Sequence, residues 1–285
     1  MTHDLADLLD VLDLKQSADD RFVGRNAALD LPRVFGGQVA AQALVAAGRT
    51  VAGGRTPQSL YADFLRPGRS EVPIEFVVET VREGRTRSNR SVAALQDGRE
   101  ILRMSVAFGH PDVTEPRVGH QTPTPPAPPP SAMPSLAESV ARYGGLDGMW
   151  TGFDAVEIRL DLRTVDGGSR DLIWMRAAGT LPDDPLVHAA VTCYATDLTL
   201  LAAALVPHGL VIGRERDDRH AWDTVSLDHA LWLHRVPRAD DWMLFDQHSP
   251  VASWGRALSA AGIFAPDGEL VATVAQEGLL RASPL

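Results

Sequence analysis

The chain has 285 residues, which suffices for one large domain or for two domains of about 140 residues each. Hydrophobic residues make up 45% and charged residues 22%, an ordinary composition for a globular protein. The 37 acidic and 27 basic residues give a net charge of −10, which excludes generic nucleic-acid binders and polybasic membrane-surface proteins. The single cysteine, Cys193, excludes an internal disulfide framework and a cysteine-based zinc ribbon.

The N-terminal segment carries acidic rather than basic residues, and no run of apolar residues approaches the length of about 20 that spans a bilayer. These features predict neither a secretory signal nor a membrane span. The expected location of the protein is therefore the cytoplasm.

The first half of the chain is predicted to contain two helices followed by strands. Leucines recur at helical spacing through residues 3–14, and an alanine-rich helix is predicted from about Gln38 to Val51. A period of two with β-branched runs then predicts strands at Ile74–Val81, Arg87–Gln96 and Glu100–Phe108. The Asp97-Gly98 pair is typical of a hairpin turn between the last two strands.

A proline-rich segment separates the two halves. Residues 123–134 contain seven prolines in twelve positions, a density that neither a helix nor a central strand tolerates. We interpret this segment as an extended linker on the surface, stiff enough to act as a spacer between two packed halves.

The same order of elements recurs after the linker. Strands are predicted around 155–162 and 171–177, a helix over about 185–205, and further strands at 225–234, 241–247, 254–264 and 270–280. The Asp267-Gly268 pair lies in the last hairpin, as Asp97-Gly98 does in the first half. This repetition predicts two copies of a helix-then-antiparallel-sheet unit, which pair edge to edge because neither copy covers its own sheet edge.

The chain lacks the common motifs of serine hydrolases, P-loop proteins, dinucleotide-binding proteins and zinc metalloproteases. His229 and His234 are five positions apart on a predicted strand, so their side chains point to opposite faces and do not form a metal pair. Asp228 and His229 are neighbours that also face opposite ways, which favours a structural role. The sequence therefore predicts no metal and no cofactor.

Five short motifs occur in an order that resembles one family. They are VFGGQV at 34–39, FLRPG at 64–68, YATD at 194–197, LDHALWLHR at 227–235 and VAQEG at 274–278. In this order they resemble the type II acyl-CoA thioesterases, and the likeness extends from about residue 5 to residue 281.

The resemblance implies an α+β double hotdog, in which two helix-wrapped antiparallel sheets pair side by side in one chain. The expected N-terminal hotdog comprises residues 1–110, the proline-rich linker and lead-in comprise residues 111–150, and the C-terminal hotdog with the active site comprises residues 151–285. The implied activity is hydrolysis of acyl-CoA thioesters to free coenzyme A and a carboxylic acid, without a metal or a covalent intermediate.

The family holds its attacking water with an aspartate, a hydroxyl residue and a glutamine, which fall on Asp197, Ser226 and Gln276. Ser226 stands where the family has threonine, so the hydroxyl is kept but the methyl group that stiffens χ1 is lost. An aspartate on an apolar helix is expected to be desolvated, which raises its pKa and improves it as a base. The alternative for Asp197 is a capping or ion-paired helix carboxylate. Phe108 aligns with Gln276 in the repeat, so one active site per chain is expected.

Backbone donors are assigned to the oxyanion. The N–H groups of Gly36, Gly37 and Gln38 lie where a helix begins, so they point along the positive end of the helix dipole. We expect these groups to contact the carbonyl oxygen of a bound thioester.

Four side chains are assigned to substrate binding. Tyr61 and Asp63 depart from the aromatic/histidine pattern of the family beside the presumed acyl pocket, on a strand face that could be either solvent or pocket. Arg66 and Arg235 are candidates for the phosphates of coenzyme A, because an acidic protein needs local cations to bind them.

Two other functions stay open at this point. A hotdog protein could instead hydrate or dehydrate acyl thioesters, although such enzymes use a His/Asp pair and only His188 precedes Asp197 on the predicted helix. The chain could also be a non-catalytic acyl-CoA-binding relic, as the changes at residues 61–63 and 226 suggest. Acyl-CoA is the expected partner in each case, and a homodimer is the expected assembly.

Overall fold

The computed structural model describes residues 3–111, 119–150, 152–162, 170–215 and 222–282. This part of the chain contains four α-helices, which are α1 (Leu5–Leu12), α2 (Gly36–Arg49), α3 (Leu136–Val140) and α4 (Pro185–Thr199). Helices α2 and α4 lie where the sequence predicts the main helix of each half. Both are buried along most of their length: α2 mainly through alanine, valine and leucine, and α4 through alanine and valine together with polar side chains such as His188 and Thr192.

The same residues form thirteen strands. Those of the first half are β1 (Lys15–Ala18), β2 (Arg21–Gly24), β3 (Thr56–Phe64), β4 (Ile74–Glu83), β5 (Arg87–Gln96) and β6 (Arg99–Gly109). Those of the second half are β7 (Val156–Arg159), β8 (Arg170–Ala177), β9 (Trp222–Ser226), β10 (Asp228–Leu233), β11 (Met243–Ser253), β12 (Arg256–Phe264) and β13 (Leu270–Ala282). The hairpin turn predicted between β5 and β6 is confirmed, with positive φ at Asp97 (49°) and Gly98 (72°).

All thirteen strands belong to one antiparallel sheet. Its order is β1-β2-β4-β5-β6-β3-β10-β13-β12-β11-β8-β7, with β9 paired to β13 beside the start of β10. The two halves meet at the pair β3–β10, where Leu60 lies opposite Leu231 and both are buried. The strand hydrogen bonds therefore continue from one half into the other.

Helices α2 and α4 pack against each other and against the inner face of the sheet. A Cβ atom at Gly37 would lie 2.8 Å from the backbone oxygen of Tyr194, so the absence of a side chain lets the two helices approach closely at that point. The Phe35 ring packs edge-on against the Tyr194 ring, with 5.0 Å between their centroids. The first turn of α2 is thereby fixed beside the last turns of α4.

The single strand predicted over 225–234 is interrupted at Leu227. Ser226 pairs with Gly278, whereas Ala230 pairs with Ala275, so four residue steps on this segment face three steps on β13. One extra residue is a β-bulge, which bends the strand and redirects the side chains beside it. Strands β1 and β2 and a separate strand β3 are further elements that the period-two pattern did not single out.

The proline-rich segment has no regular secondary structure until a short 3-10 turn at Pro130–Ala132. It lies along the second half: the indole N–H of Trp174 donates to the oxygen of Pro128 at 2.9 Å, and the Gln121 amide donates to the oxygen of Gly268 at 2.8 Å. These contacts hold the segment on the surface of the second half.

Contrary to the expectation that no apolar run approaches the length of a membrane span, the run Pro185–His208 is, by length and composition, apolar enough to cross a membrane. However, 78% of its most apolar window is buried inside the protein, as in the core helix of a soluble protein. The α-helix ends at Thr199, and a 3-10 helix at Leu201–Ala204 continues the predicted helical segment.

Candidate active site

A cavity of about 550 Å³ lies between the two halves beside the facing ends of α2 and α4. Its walls are mostly apolar, with contributions from both halves that include Val34, Phe64, Ile101, Phe153, Leu198 and Leu201. Such a cavity suits an aliphatic chain, provided that a few polar groups fix the orientation of its reactive end.

The three residues assigned to the attacking water lie together at the wall of this cavity. The Gln276 side-chain amide donates to Asp197 Oδ1 at 2.7 Å and to Ser226 Oγ at 2.6 Å. Asp197 and Ser226 both line the cavity, whereas Gln276 is fully buried behind them. The structure therefore brings these three side chains, which are far apart in the sequence, into contact at one place.

Three different elements position this trio. Asp197 lies near the C-terminal end of α4, Gln276 lies on β13, and Ser226 ends β9 at the bulge. Without the extra residue in the bulge, the pairing with β13 would keep one register from β9 into β10. Ser226 thus owes its place beside Gln276 to a local irregularity of the sheet.

The Asp197 carboxyl lies in apolar surroundings, and its burial raises its pKa to about 6. The hydrogen bonds from Gln276, the Gly37 backbone and Ser226 act in the opposite direction, but burial is the larger effect. At neutral pH the group is therefore largely ionised while being a stronger base than an ordinary aspartate.

Gly36, Gly37 and Gln38, whose backbone N–H groups were assigned to the oxyanion, lie in three different environments. The Gly37 N–H donates to the Asp197 carboxylate rather than to open cavity space. Gly36 lines the cavity, and a Cβ atom there would lie 2.9 Å from Asp197 Oδ2. The Gln38 side chain is directed elsewhere, since its Oε1 accepts from the Ala27 N–H at 3.0 Å.

Tyr61 and Asp63 lie on the outer face of the sheet, because they alternate with Leu60 and Ala62, which are buried on the inner face. Tyr61 is 46% exposed, and its hydroxyl is 3.5 Å from Asp228 Oδ2. The structure does not bring these two residues to the cavity.

The two predicted arginines are separated. Arg66 lines the cavity and donates to the oxygen of Glu100 at 2.7 Å. Arg235 lies two residues after the C-terminal end of β10, whereas Ser226 precedes the N-terminal end of that strand. Arg235 forms an ion pair with Glu269, with 3.0 Å between Nε and Oε2. Arg33, which the sequence did not single out, also lines the cavity and donates to the oxygen of Thr224 at 3.0 Å.

Glu215 is a cavity residue that the sequence analysis missed. Its Oε2 accepts from the indole N–H of Trp150 at 2.6 Å, and its Oε1 accepts from the Gly213 N–H at 2.9 Å. Burial raises the pKa of Glu215 to about 7 despite these two hydrogen bonds. The residue belongs to a run of six charged residues in the sequence, Arg214 to Arg219, and such a composition gives no signal of burial.

Asp228 and His229 make structural contacts. Asp228 Oδ1 accepts from the Glu277 N–H at 2.7 Å, and His229 Nε2 lies 3.0 Å from Thr196 Oγ1 in the core. Burial lowers the pKa of His229 to about 4, so the ring is neutral at physiological pH. Within the described ranges, no group of three histidine, cysteine, aspartate or glutamate residues is arranged to hold a metal ion.

Two family models match the chain. One is described as "Acyl-CoA thioesterase" and covers residues 153–279, and the other as "Acyl-CoA thioesterase N-terminal domain" and covers residues 27–109. Human acyl-coenzyme A thioesterase 8 is 32% identical over 96% of this chain and 88% of its own length. Acyl-CoA thioesterase 2 of Haemophilus influenzae is 32% identical over 99% of this chain and 100% of its own length.

Solved structures agree with these matches. An acyl-CoA thioesterase II from Mycobacterium marinum is 38% identical, superimposes with a TM-score of 0.80 and covers 97% of this chain and 98% of its own. A protein from Alicyclobacillus acidocaldarius described as having a hot dog fold is 20% identical, with a TM-score of 0.79 over 98% of both chains. The second match concerns the fold alone.

Proposed function

The chain belongs to the acyl-CoA thioesterase family and is a thioester hydrolase, and from this premise we propose that Asp197, Ser226 and Gln276 together hold the water that attacks the thioester carbonyl. The observation that carries the proposal is the Gln276 amide, which bonds Asp197 at 2.7 Å and Ser226 at 2.6 Å at the wall of the apolar cavity. Three such polar groups fix the position of one water molecule, which removes much of the entropic part of the barrier.

In the proposed reaction Asp197 takes a proton from the water as its oxygen attacks the carbonyl carbon. The tetrahedral intermediate then collapses, the carbon–sulfur bond breaks, and the proton on Asp197 passes to the departing thiolate. The products are a carboxylic acid and free coenzyme A. The pKa of about 6 suits Asp197 to both steps, because the group accepts a proton readily and also gives it up.

The oxyanion is assigned to the N-terminus of α2. Gly36 lines the cavity at the first turn of this helix, where backbone N–H groups and the helix dipole favour negative charge. The Gly37 N–H serves the Asp197 carboxylate instead, so it orients the base. The first half of the chain thus contributes to a site whose three polar side chains come from the second half.

Replacement of Asp197 by alanine tests the assignment. Asp197→Ala should abolish thiol release from acyl-CoA, measured with a thiol reagent, while the circular dichroism spectrum stays unchanged. Asp63→Ala is the matched control. It removes a carboxylate from the outer face of the antiparallel sheet, outside the cavity, and should retain turnover. Undiminished turnover by Asp197→Ala would refute the proposed base.

We also propose the finer architecture that the resemblance implies. Each half supplies one long helix and its own strands, and the strands of the two halves join edge to edge at β3–β10, as expected for two hotdog units side by side. The unit boundaries remain those of the sequence analysis, with the first unit at 1–110 and the second at 151–285. A homodimer, testable by light scattering, and a cytoplasmic location complete the proposal.

The hydratase and relic hypotheses gain no support. No histidine lines the cavity within the described ranges, and His188 is buried where its Nδ1 accepts from the Ala239 N–H at 3.1 Å. The trio also retains every polar group that hydrolysis needs. Loss of enoyl-CoA absorbance without thiol release would nevertheless identify a hydratase.

A further inference from the structure

Five buried polar atoms lie on the inner face of the sheet beyond the active site, and no group of the described residues forms a hydrogen bond with any of them. They are both carboxylate oxygens of Asp171, Oε1 of Gln247, Oγ of Ser259 and Oε1 of Gln276. The described residues contain eleven such atoms, so nearly half of them belong to these four residues. We refer to Asp171, Gln247, Ser259 and Gln276 as the polar row.

The polar row crosses four neighbouring strands on the inner face of the sheet, in the order β13, β12, β11 and β8. Ser259 pairs directly with Gln276, and Asp171 pairs directly with Gln247, so the Cβ atoms within each pair are about 5 Å apart. Gln247 lies opposite Ala261, two positions along the same face from Ser259. Three strand spacings of about 4.8 Å give the row a length of about 14 Å.

One end of the row meets the active site and the other reaches the sheet edge. Gln276 directs its amide nitrogen to Asp197 and Ser226. Its side chain also interacts with the buried His229 ring, and Ser259 of the row lies directly opposite it on β12. At the other end, β7 pairs with β8 only at residues 174–177. At the level of Asp171 no described strand therefore lies beyond β8.

The chemistry of these atoms requires partners. Buried polar groups in native proteins are almost always hydrogen-bonded, and internal water satisfies those that protein groups leave over. Asp171 is only 2% exposed, and its burial raises its pKa to about 6, so its carboxylate has particular need of donors. The residues next to Ser259 on the same face are Ala257 and Ala261, which are buried and carry small apolar side chains that offer these polar atoms no hydrogen-bond partner.

We propose that the polar row holds a chain of internal water molecules that leads from the sheet edge at Asp171 to Gln276 and supplies the hydrolytic site while an acyl chain fills the cavity. The inference rests on the proposed function, because each turnover consumes one water molecule. A long acyl chain in the apolar cavity blocks the direct route from solvent to Asp197. Gln276 links the row to the active site, since its amide nitrogen bonds Asp197 and Ser226 and its register partner on β12 is Ser259.

The test compares substrates that fill the cavity to different extents. Ser259→Val replaces the hydroxyl in the middle of the row by a methyl group and adds a second methyl group on Cβ, so it should lower kcat for palmitoyl-CoA about tenfold, with kcat for acetyl-CoA changed less than about twofold. KM should stay nearly constant for both substrates. An equal loss with both substrates, or no loss with either, would overturn the proposal.

Ser88→Val is the matched control. Ser88 is fully buried and pairs with Phe108 as Ser259 pairs with Gln276, but its hydroxyl is bonded to Glu83 at 2.7 Å and to Arg55 at 2.9 Å. The same substitution there should lower stability without changing the ratio of the two kcat values. A changed ratio in this variant would show that the readout reports structural damage and would count against the row.

A crystal structure at high resolution provides a measurement that does not depend on activity. Ordered water molecules within hydrogen-bond distance of Asp171, Gln247 and Ser259 support the proposal. Direct contacts between these side chains with no intervening water would overturn it. An inactive wild-type protein would instead refute the proposed function and the supply role with it, while the waters themselves would still be visible.

Discussion

Asp197 meets two requirements of a general base that usually conflict. Apolar surroundings raise the pKa of its carboxyl to about 6, and three hydrogen-bond donors hold the same carboxyl in place. Donors alone would depress the pKa, and burial alone would leave the group unpositioned. The combination gives a carboxylate that is ionised, oriented and basic at neutral pH.

The pH dependence of kcat/KM should report this balance. A base must be unprotonated to act, so kcat/KM should fall about tenfold per pH unit below the pKa of about 6 and be level from pH 7 to 8. Initial rates of thiol release across the pH range, with circular dichroism at each pH to verify folding, provide the measurement. Full activity at pH 5 would contradict the assignment of Asp197 as the base.

Ser226 is the one member of the trio that departs from the family pattern. Ser226→Thr adds a methyl group that restricts χ1, so we expect kcat to be maintained or to rise up to about threefold. Ser226→Ala removes the oxygen that accepts from Gln276 at 2.6 Å and should lower kcat about tenfold or more. Steady-state kinetics of the two variants measure the effect, and equal rates for both would deny the hydroxyl a role.

At the scale of elements, the site depends on the close approach of α2 and α4. Gly37→Ala would place a Cβ atom 2.8 Å from the Tyr194 backbone oxygen, which cannot give way easily, so the helices must separate. We expect a loss of about 2 kcal/mol of stability, and a lower kcat because the Gly37 N–H moves away from Asp197. Urea unfolding and thiol-release assays measure the two effects.

Gly48→Ala is the comparison for Gly37→Ala. Its added Cβ atom would lie 2.5 Å from the Leu186 side chain, whose end is flexible and can shift. A small stability change and an unchanged kcat are expected there. Equal losses of kcat in Gly37→Ala and Gly48→Ala would show that the helix contact at Gly37 has no particular role in the active site.

Glu215 should make stability depend on pH. Its folded-state pKa of about 7 lies above the usual value of 4.5, so the folded protein binds the extra proton and the free energy of unfolding falls as pH rises through this window. The contribution of this group should decrease by about 3 kcal/mol between pH 4.5 and 7.5. Glu215→Gln should flatten that part of the profile, measured by urea unfolding at several pH values. Parallel profiles for the two proteins would contradict this linkage.

Local patterns predicted α2, β5 and β6 closely, because alanine-rich periodicity, strand alternation and the Asp97-Gly98 turn act over a few residues. The break at Leu227 escaped because a bulge is visible only once the pairing with β13 is known. The Asp197–Ser226–Gln276 site could be predicted only from the family resemblance, because its three residues are far apart in the sequence. Glu215 escaped for a related reason, as its burial depends on the cavity wall around Trp150.

At the scale of the whole molecule, the two halves share an architecture but not a site. Gln276 and Ser259 form one register pair in the second half, whereas Phe108 and Ser88 form the matching pair in the first. Phe108 is 1% exposed and carries no polar group, so it serves the core. The two halves therefore share the sheet arrangement, but only the second half has an amide side chain at this register position.

Binding stoichiometry should show a single site per chain. The helix contacts explain why: Gly36 lies against the Asp197 carboxylate, whereas Gly48, at the other end of α2, lies against the apolar side chain of Leu186. Isothermal titration of Asp197→Ala with palmitoyl-CoA, which binds without being hydrolysed, should give one equivalent per chain. Adding Phe108→Gln to that variant should leave the stoichiometry at one, because an amide alone restores neither the carboxylate nor the hydroxyl. Two equivalents per chain in either protein would mean that the first half holds a working acyl-CoA site.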